Sequence, residues 1–219
     1  IFRILPNLTD VGLITGNKYI WDIICNHNKN AALFRKASKN CVSIYELACE
    51  VDRTEVIIDS SKYALPLKAR YMELKDKMRI VFLVRDGRAV CKSLMKRQGL
   101  TMAEAAKNWA RFNWNLELVL KTIPREHIYF LRYEDLCVNT STILNELSEF
   151  VGASSSLEIK PLIKNNFHNI GGNPMRFRRT ETLISIDESW KKLITPEEIS
   201  IFNKIAGAGN AKYGYSKDF

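Results

Sequence analysis

The stretch Ile80-Val-Phe-Leu-Val-Arg85-Asp-Gly-Arg-Ala-Val-Cys-Lys-Ser93 constrains this chain more than any other. A short, β-branched apolar run breaks off at Arg85, and the residues behind it carry a helical pattern as far as Ser93. Strand, loop and helix in that order form the unit of an open α/β sheet. Ligands of such sheets collect beyond the carboxyl ends of the strands, which is where Arg85 stands. A guanidinium fork and a hydroxyl at that edge suit a terminal phosphate. The same residues also fit a plain structural role, with Arg85 paired to Asp86 or capping a neighbouring helix and Ser93 facing solvent. From this stretch alone both readings stand.

The remaining periodicities extend the α/β pattern. A helix is expected from about residue 18 to 49, with Ile44, Leu47, Ala48 and Val51 at helical spacing. Residues 55–59 read as a buried strand, Ser60 and Ser61 as a cap, and 63–75 as a helix. A second strand is expected over 78–84, then a helix over 88–96 that Gly99 ends. Thr101-Met-Ala-Glu104 is a capping box. It opens a long helix with Met102, Ala105, Trp109, Phe112, Leu116, Val119 and Ile123 on one face, stopped by Pro124. A third strand covers 127–131 and a helix 140–151, closed by Gly152. Thr195-Pro-Glu-Glu198 is a second capping box with proline at the first helical position. Strands separated by helices imply parallel crossovers, hence an α/β fold: a parallel sheet flanked by helices on both faces. Between them, residues 154–182 are polar and basic without a period. Phe167, Ile170 and Phe177 mark this stretch as an ordered loop on the domain, and long loops of that kind are usually functional. Repeats and linkers are absent, so residues 1–219 read as one domain.

Composition narrows the partners. At 219 residues and 46% hydrophobic content the chain can bury one substantial core. Its net charge of +9 favours anionic ligands, while the scatter of the basic residues makes nucleic acid unlikely. The odd set Cys25, Cys41, Cys49, Cys91 and Cys137 has no Cys-x-x-Cys pair, which argues against a disulfide framework and structural zinc and suits a reducing compartment. His27, His127 and His168 are too dispersed for a metal site. Membrane-spanning runs are absent from the sequence.

Three segments in order carry a family resemblance. Arg85 to Ser93 resembles the 3′-phosphate-binding segment of sulfotransferases that use 3′-phosphoadenosine 5′-phosphosulfate (PAPS). Arg132-Tyr-Glu-Asp-Leu136 is similar to that family's Tyr-Glu-Asp-Leu stretch, whose tyrosine lies near the adenine. His168-Asn-Ile-Gly-Gly-Asn-Pro-Met-Arg-Phe177 resembles the Gly-Asn-x-Met-Arg signature of one branch, common among bacterial and carbohydrate-directed members. The resemblance implies a P-loop-NTPase-like sulfotransferase fold. It implies PAPS as donor and a hydroxyl acceptor, a glycan or small molecule. It also implies nucleotide contacts from Arg85, Ser93, Tyr133, Asn173, Arg176 and Arg178. Asp59 at the end of the expected first strand, with Lys62 a helical turn on, stands where the family keeps its base and a lysine; the competing reading makes Asp59 a helix cap. Glu134 and Asp135 read as caps or structural acceptors.

One family feature is missing. The Gly-rich loop that cradles the 5′-phosphosulfate has no counterpart here. Gly12-Leu-Ile-Thr-Gly-Asn-Lys18, the nearest segment, reads as an ordinary turn. An N-terminally truncated domain is expected on that ground, with a divergent, inactive member as runner-up. The alternatives in function are a degenerate nucleotide- or anion-binding module and a P-loop small-molecule kinase; the absent Gly-x-x-x-x-Gly-Lys-Ser/Thr loop counts against the kinase. Cytoplasmic residence is the expectation, with the Golgi lumen as the alternative.

Overall fold

A computed structural model of the chain describes residues 29–153 and 185–216. The turn at Gly12–Lys18 and the loop residues Asn173, Arg176 and Arg178 lie outside the described residues. The elements in order are α1 (Lys29–Asp52), α2 (Ala64–Leu74), β1 (Ile80–Val84), α3 (Gly87–Gln98), α4 (Met102–Leu120), β2 (Ile128–Arg132), α5 (Tyr133–Val138), α6 (Thr140–Val151) and α7 (Pro196–Lys212). The two strands pair in parallel, Ile80 opposite Ile128 and Val84 opposite Arg132. This is the expected parallel α/β arrangement flanked by helices.

The punctuation falls where local chemistry puts it. Thr101 and Thr195 each accept from the amide of the glutamate three residues on, and each glutamate bonds back to the threonine amide. Both boxes satisfy donors that a helix N-terminus otherwise leaves open. Gly99 and Gly152 end α3 and α6 in the left-handed region, at φ of 67° and 72°.

The strand expected over 55–59 does not form. β-Branched residues suit a pleated, half-buried surface, but a strand also needs a neighbour for its N–H and C=O groups. No strand pairs with this segment among the described residues. Ile58 is 90% exposed and Val56 is exposed beside it. Ser60 and Ser61 do not cap α2 either; Tyr63 takes that position without a side-chain bond. The apolar stripe Ile44, Leu47 and Val51 on α1 is exposed as well.

The core lies on one face of the sheet. Val84 packs with Cys91 of α3, Met102, Ala105, Ala106 and Trp109 of α4, and Phe202 and Ala206 of α7. Ile80 packs with Ala64 and Tyr71 of α2 and with Val119, Leu120 and Ile123 at the end of α4. Phe82 joins both clusters. The rings of Phe82, Phe130 and Trp109 converge on Tyr213, at centroid distances of 5.9–6.1 Å. On the other face α6 covers β2, Phe150 meeting Tyr129 at 5.5 Å, while Val81 and Leu83 of β1 are exposed.

Gly87, the first residue of α3, is where this core tolerates no side chain. A Cβ there would stand 2.6 Å from the Phe202 ring and 2.9 Å from the Trp109 ring. Overpacking of this kind costs about 1–3 kcal/mol. Gly87→Ala is therefore expected to lower the unfolding free energy by that amount, read as a lower urea midpoint at an unchanged slope. A change within about 0.5 kcal/mol, the range of a neutral surface substitution, would show that the rings yield freely.

Candidate functional site

Both strands end on residues of the expected site. Because Val84 stands opposite Arg132, the next residues of the two strands, Arg85 and Tyr133, are neighbours in register. The Arg85 guanidinium accordingly lies 4.5 Å from the centre of the Tyr133 ring, a cation–π contact. Arg85 does not pair with Asp86. Its Nη2 donates to the Asp187 carbonyl at 2.7 Å and lies 3.2 Å from Asp187 Oδ2. The Tyr133 hydroxyl donates to the Ser185 carbonyl at 3.2 Å. The bond from Ser189 Oγ, more than the charge of Arg85, holds the Asp187 carboxyl below its ordinary value.

Asp86 has a different partner. It caps α3, Oδ1 accepting from the Arg88 amide at 2.9 Å and from Arg88 Nε at 3.1 Å, and Oδ2 accepting from Arg88 Nη2 at 2.7 Å. Both residues are buried, at 4% and 2% exposure, and Arg88 also lies 5.4 Å over the Trp190 ring. Asn210 of α7 completes the arrangement. Its Oδ1 accepts from the Gly87 amide at 2.8 Å and its Nδ2 stands 3.4 Å from Asp86 Oδ1. Glu134 accepts from the Asp86 amide at 3.3 Å and from the Tyr215 hydroxyl at 2.5 Å, so it is a structural acceptor, as its sequence context indicates. Burial, then the hydrogen bond to Glu134, raise the Tyr215 phenol above its ordinary value and keep it a donor. Beside these residues opens a polar pocket of about 210 Å³, lined by Arg132, Glu134, Asp187, Trp190, Lys191 and Tyr215. That is below the roughly 300–1,000 Å³ of ordinary small-molecule sites.

Ser93 lies two turns into α3, half-buried, seven residues beyond the cap and so on the helix face that starts at Asp86. Its carbonyl accepts from Arg97 Nε at 3.4 Å. Cys91, between them, is fully buried, and burial pushes its thiol up to about 12, which makes it a packing residue.

Asp59 and Lys62 are not drawn into contact with Arg85 or Tyr133. Asp59 accepts from the Tyr45 hydroxyl of α1 and from the Ser61 amide at 2.7 Å, and pairs with Arg70 of α2 at 3.4 Å. Burial pushes its carboxyl up, but the Tyr45, Ser61 and Arg70 interactions outweigh that and hold it below the ordinary value. Lys62 is exposed, with no hydrogen bond or ion pair among the described residues. Further along α2, Tyr71 shares a 2.8 Å hydrogen bond with His127, the residue before β2.

A model of the sulfotransferase domain family matches residues 24–214. The chain belongs to the sulfotransferase family. Among solved structures, the chain is similar to the "Sulfotransferase Domain from the Curacin Biosynthetic Pathway". The TM-score is 0.52 and the identity 22%, over 76% of this chain and 66% of that one. At that identity the likeness is one of fold. The chain spans just under two thirds of that structure's length. No curated protein matches it. Among its described residues no helix is long and apolar enough to cross a membrane, and no group of His, Cys, Asp or Glu is arranged to hold a metal ion.

Asn210, Trp190, Tyr215 and Asp187 escape a reading of the sequence. Each lies about a hundred residues or more from its partner at the end of β1, and no local period marks it. The buried pair should dominate stability at this edge. Arg88→Met leaves Asp86 buried with its countercharge removed, and is expected to cost roughly 3–5 kcal/mol in denaturant unfolding. A loss below about 1 kcal/mol, the size of an exposed pair, would mean that water reaches Asp86.

Proposed function

We propose that the chain transfers a sulfuryl group from PAPS to a hydroxyl acceptor, a glycan or a small molecule. The meeting of Arg85 and Tyr133 across adjacent parallel strands carries this reading. A cation for the 3′-phosphate and a ring for the adenine stand side by side at the ligand edge of the sheet. In this reading Ser93 adds a hydroxyl to the phosphate site, and Asn173, Arg176 and Arg178 close over the nucleotide from the basic loop. Transfer at sulfur resembles phosphoryl transfer in relying mainly on positioning and electrostatic stabilisation.

Asp59 is the candidate base for the acceptor hydroxyl, and Lys62 the candidate cation for the bridging oxygen. Asp59 already accepts from Tyr45 and the Ser61 amide. To take a proton from an acceptor it has to exchange the Tyr45 bond for one to the substrate. General-base assistance is worth about 10²–10⁴ in rate. Asp59→Asn is expected to reduce kcat by that factor while the affinity for adenosine 3′,5′-bisphosphate is kept. A reduction of less than threefold would leave Asp59 as the pin between α1 and α2 only.

The nucleotide assignment is tested by thermal shift with adenosine 3′,5′-bisphosphate beside AMP and ATP. A ligand of the native state alone at about a hundredfold its Kd adds roughly 2.7 kcal/mol of stability. Selective stabilisation by the 3′-phosphorylated nucleotide, abolished in Arg85→Ala, is the expected result. Preference for ATP would favour a kinase, and no response to any nucleotide a degenerate module.

A further inference from the structure

The two side chains assigned to the nucleotide are already engaged, and by the same short segment. Arg85 is held by the carbonyl and carboxylate of Asp187, and Tyr133 by the carbonyl of Ser185. Segment 185–187 thus crosses the ends of β1 and β2 and hooks onto each. The contact sits at the surface: the Asp187 side chain is 56% exposed and that of Arg85 25%. The other carboxylate oxygen, Oδ1, accepts from the Ser189 amide at 3.1 Å and from its hydroxyl at 2.6 Å, which fixes the direction in which Oδ2 points.

The donor geometry of Arg85 decides what this contact means. A phosphate grips a guanidinium best through two parallel N–H bonds. One such edge of arginine includes Nε, and the other is Nη1 with Nη2. Arg85 Nε is buried without a hydrogen-bond partner among the described residues, so a ligand arriving from solvent has no access to that edge. The edge left to a ligand is Nη1 with Nη2, and Asp187 occupies Nη2. A phosphate therefore gains a two-point hold on Arg85 only when Asp187 leaves. Sharing is disfavoured as well, because a carboxylate and a phosphate dianion on one cation repel each other.

We propose that Asp187 stands in for the 3′-phosphate, so that segment 185–187 straps the site until a nucleotide exchanges its phosphate for the Asp187 carboxylate on Arg85. This rests on the PAPS-dependent reading above. The strap is a competitor built into the chain, and binding and release of the nucleotide are coupled to its opening and closing.

Isothermal titration of the full chain with adenosine 3′,5′-bisphosphate and with AMP tests the exchange. Asp187→Asn removes the charge and keeps an acceptor for Ser189, and Asp187→Ser serves as the second variant. Both are expected to bind the bisphosphate roughly two- to fivefold more tightly, the size of a surface ion pair, with AMP unchanged. Hydrogen exchange supplies a readout that charge removal alone does not move. In the wild-type protein the peptide covering 185–192 should exchange faster on saturation with the bisphosphate and not with AMP. Equal or weaker binding by both variants, or unchanged or slower exchange of that peptide, overturns the strap and leaves the nucleotide site standing. Failure of the wild-type chain to bind the bisphosphate overturns both.

Discussion

The buried pair of Asp86 and Arg88 is the contact on which the carboxyl edge of this sheet depends. Asp86 caps α3, neutralises an arginine with 2% exposure and lies beside the Asn210 amide of α7. Removing two charges from water is costly, and a buried pair is tolerated only where further hydrogen bonds satisfy what the two leave over. Here those bonds come from the start of α3 and from Asn210 of α7, while Glu134 behind β2 holds the Asp86 amide. The turn that follows β1 is thereby fixed to elements more than a hundred residues away. Gly87 belongs to the same constraint, because its missing Cβ lets the turn press against Phe202 and Trp109.

With that turn fixed, parallel register does the rest. Val84 opposite Arg132 makes Arg85 and Tyr133 neighbours, and neither strand alone could bring a guanidinium within 4.5 Å of that ring. The aromatic group around Tyr213 holds the two strands from the core side, through Phe82 on β1 and Phe130 on β2. The face that packs the core therefore also sets the spacing of the strand ends above it.

Asp59 shows a different balance. Its bonds to Tyr45 and the Ser61 amide and its pairing with Arg70 tie α1 to α2, and the same interactions lower its proton affinity. A base at neutral pH works best with a proton affinity near the working pH. A catalytic role thus requires the substrate to replace one of these partners, whereas the structural role needs no change.

Local chemistry made much of this legible in the sequence. The two capping boxes, the glycine ends of α3 and α6, and the strand–turn–helix at Ile80–Ser93 each depend on residues a few positions apart. Three short motifs in order were enough to place the chain in the sulfotransferase family, which the family match over residues 24–214 bears out. Where the sequence misled, at 55–59, the segment had the residues of a strand, but pairing depends on a neighbour that composition does not specify. Tertiary structure alone decided that Arg88, not Arg85, pairs with Asp86, and that Asn210 seals the turn. It also decided that Asp187 lies on Arg85. The physical reason is common to all three. An ion pair or hydrogen bond is settled by which groups the fold carries within about 3 Å of each other, and spacing along the chain does not encode that distance.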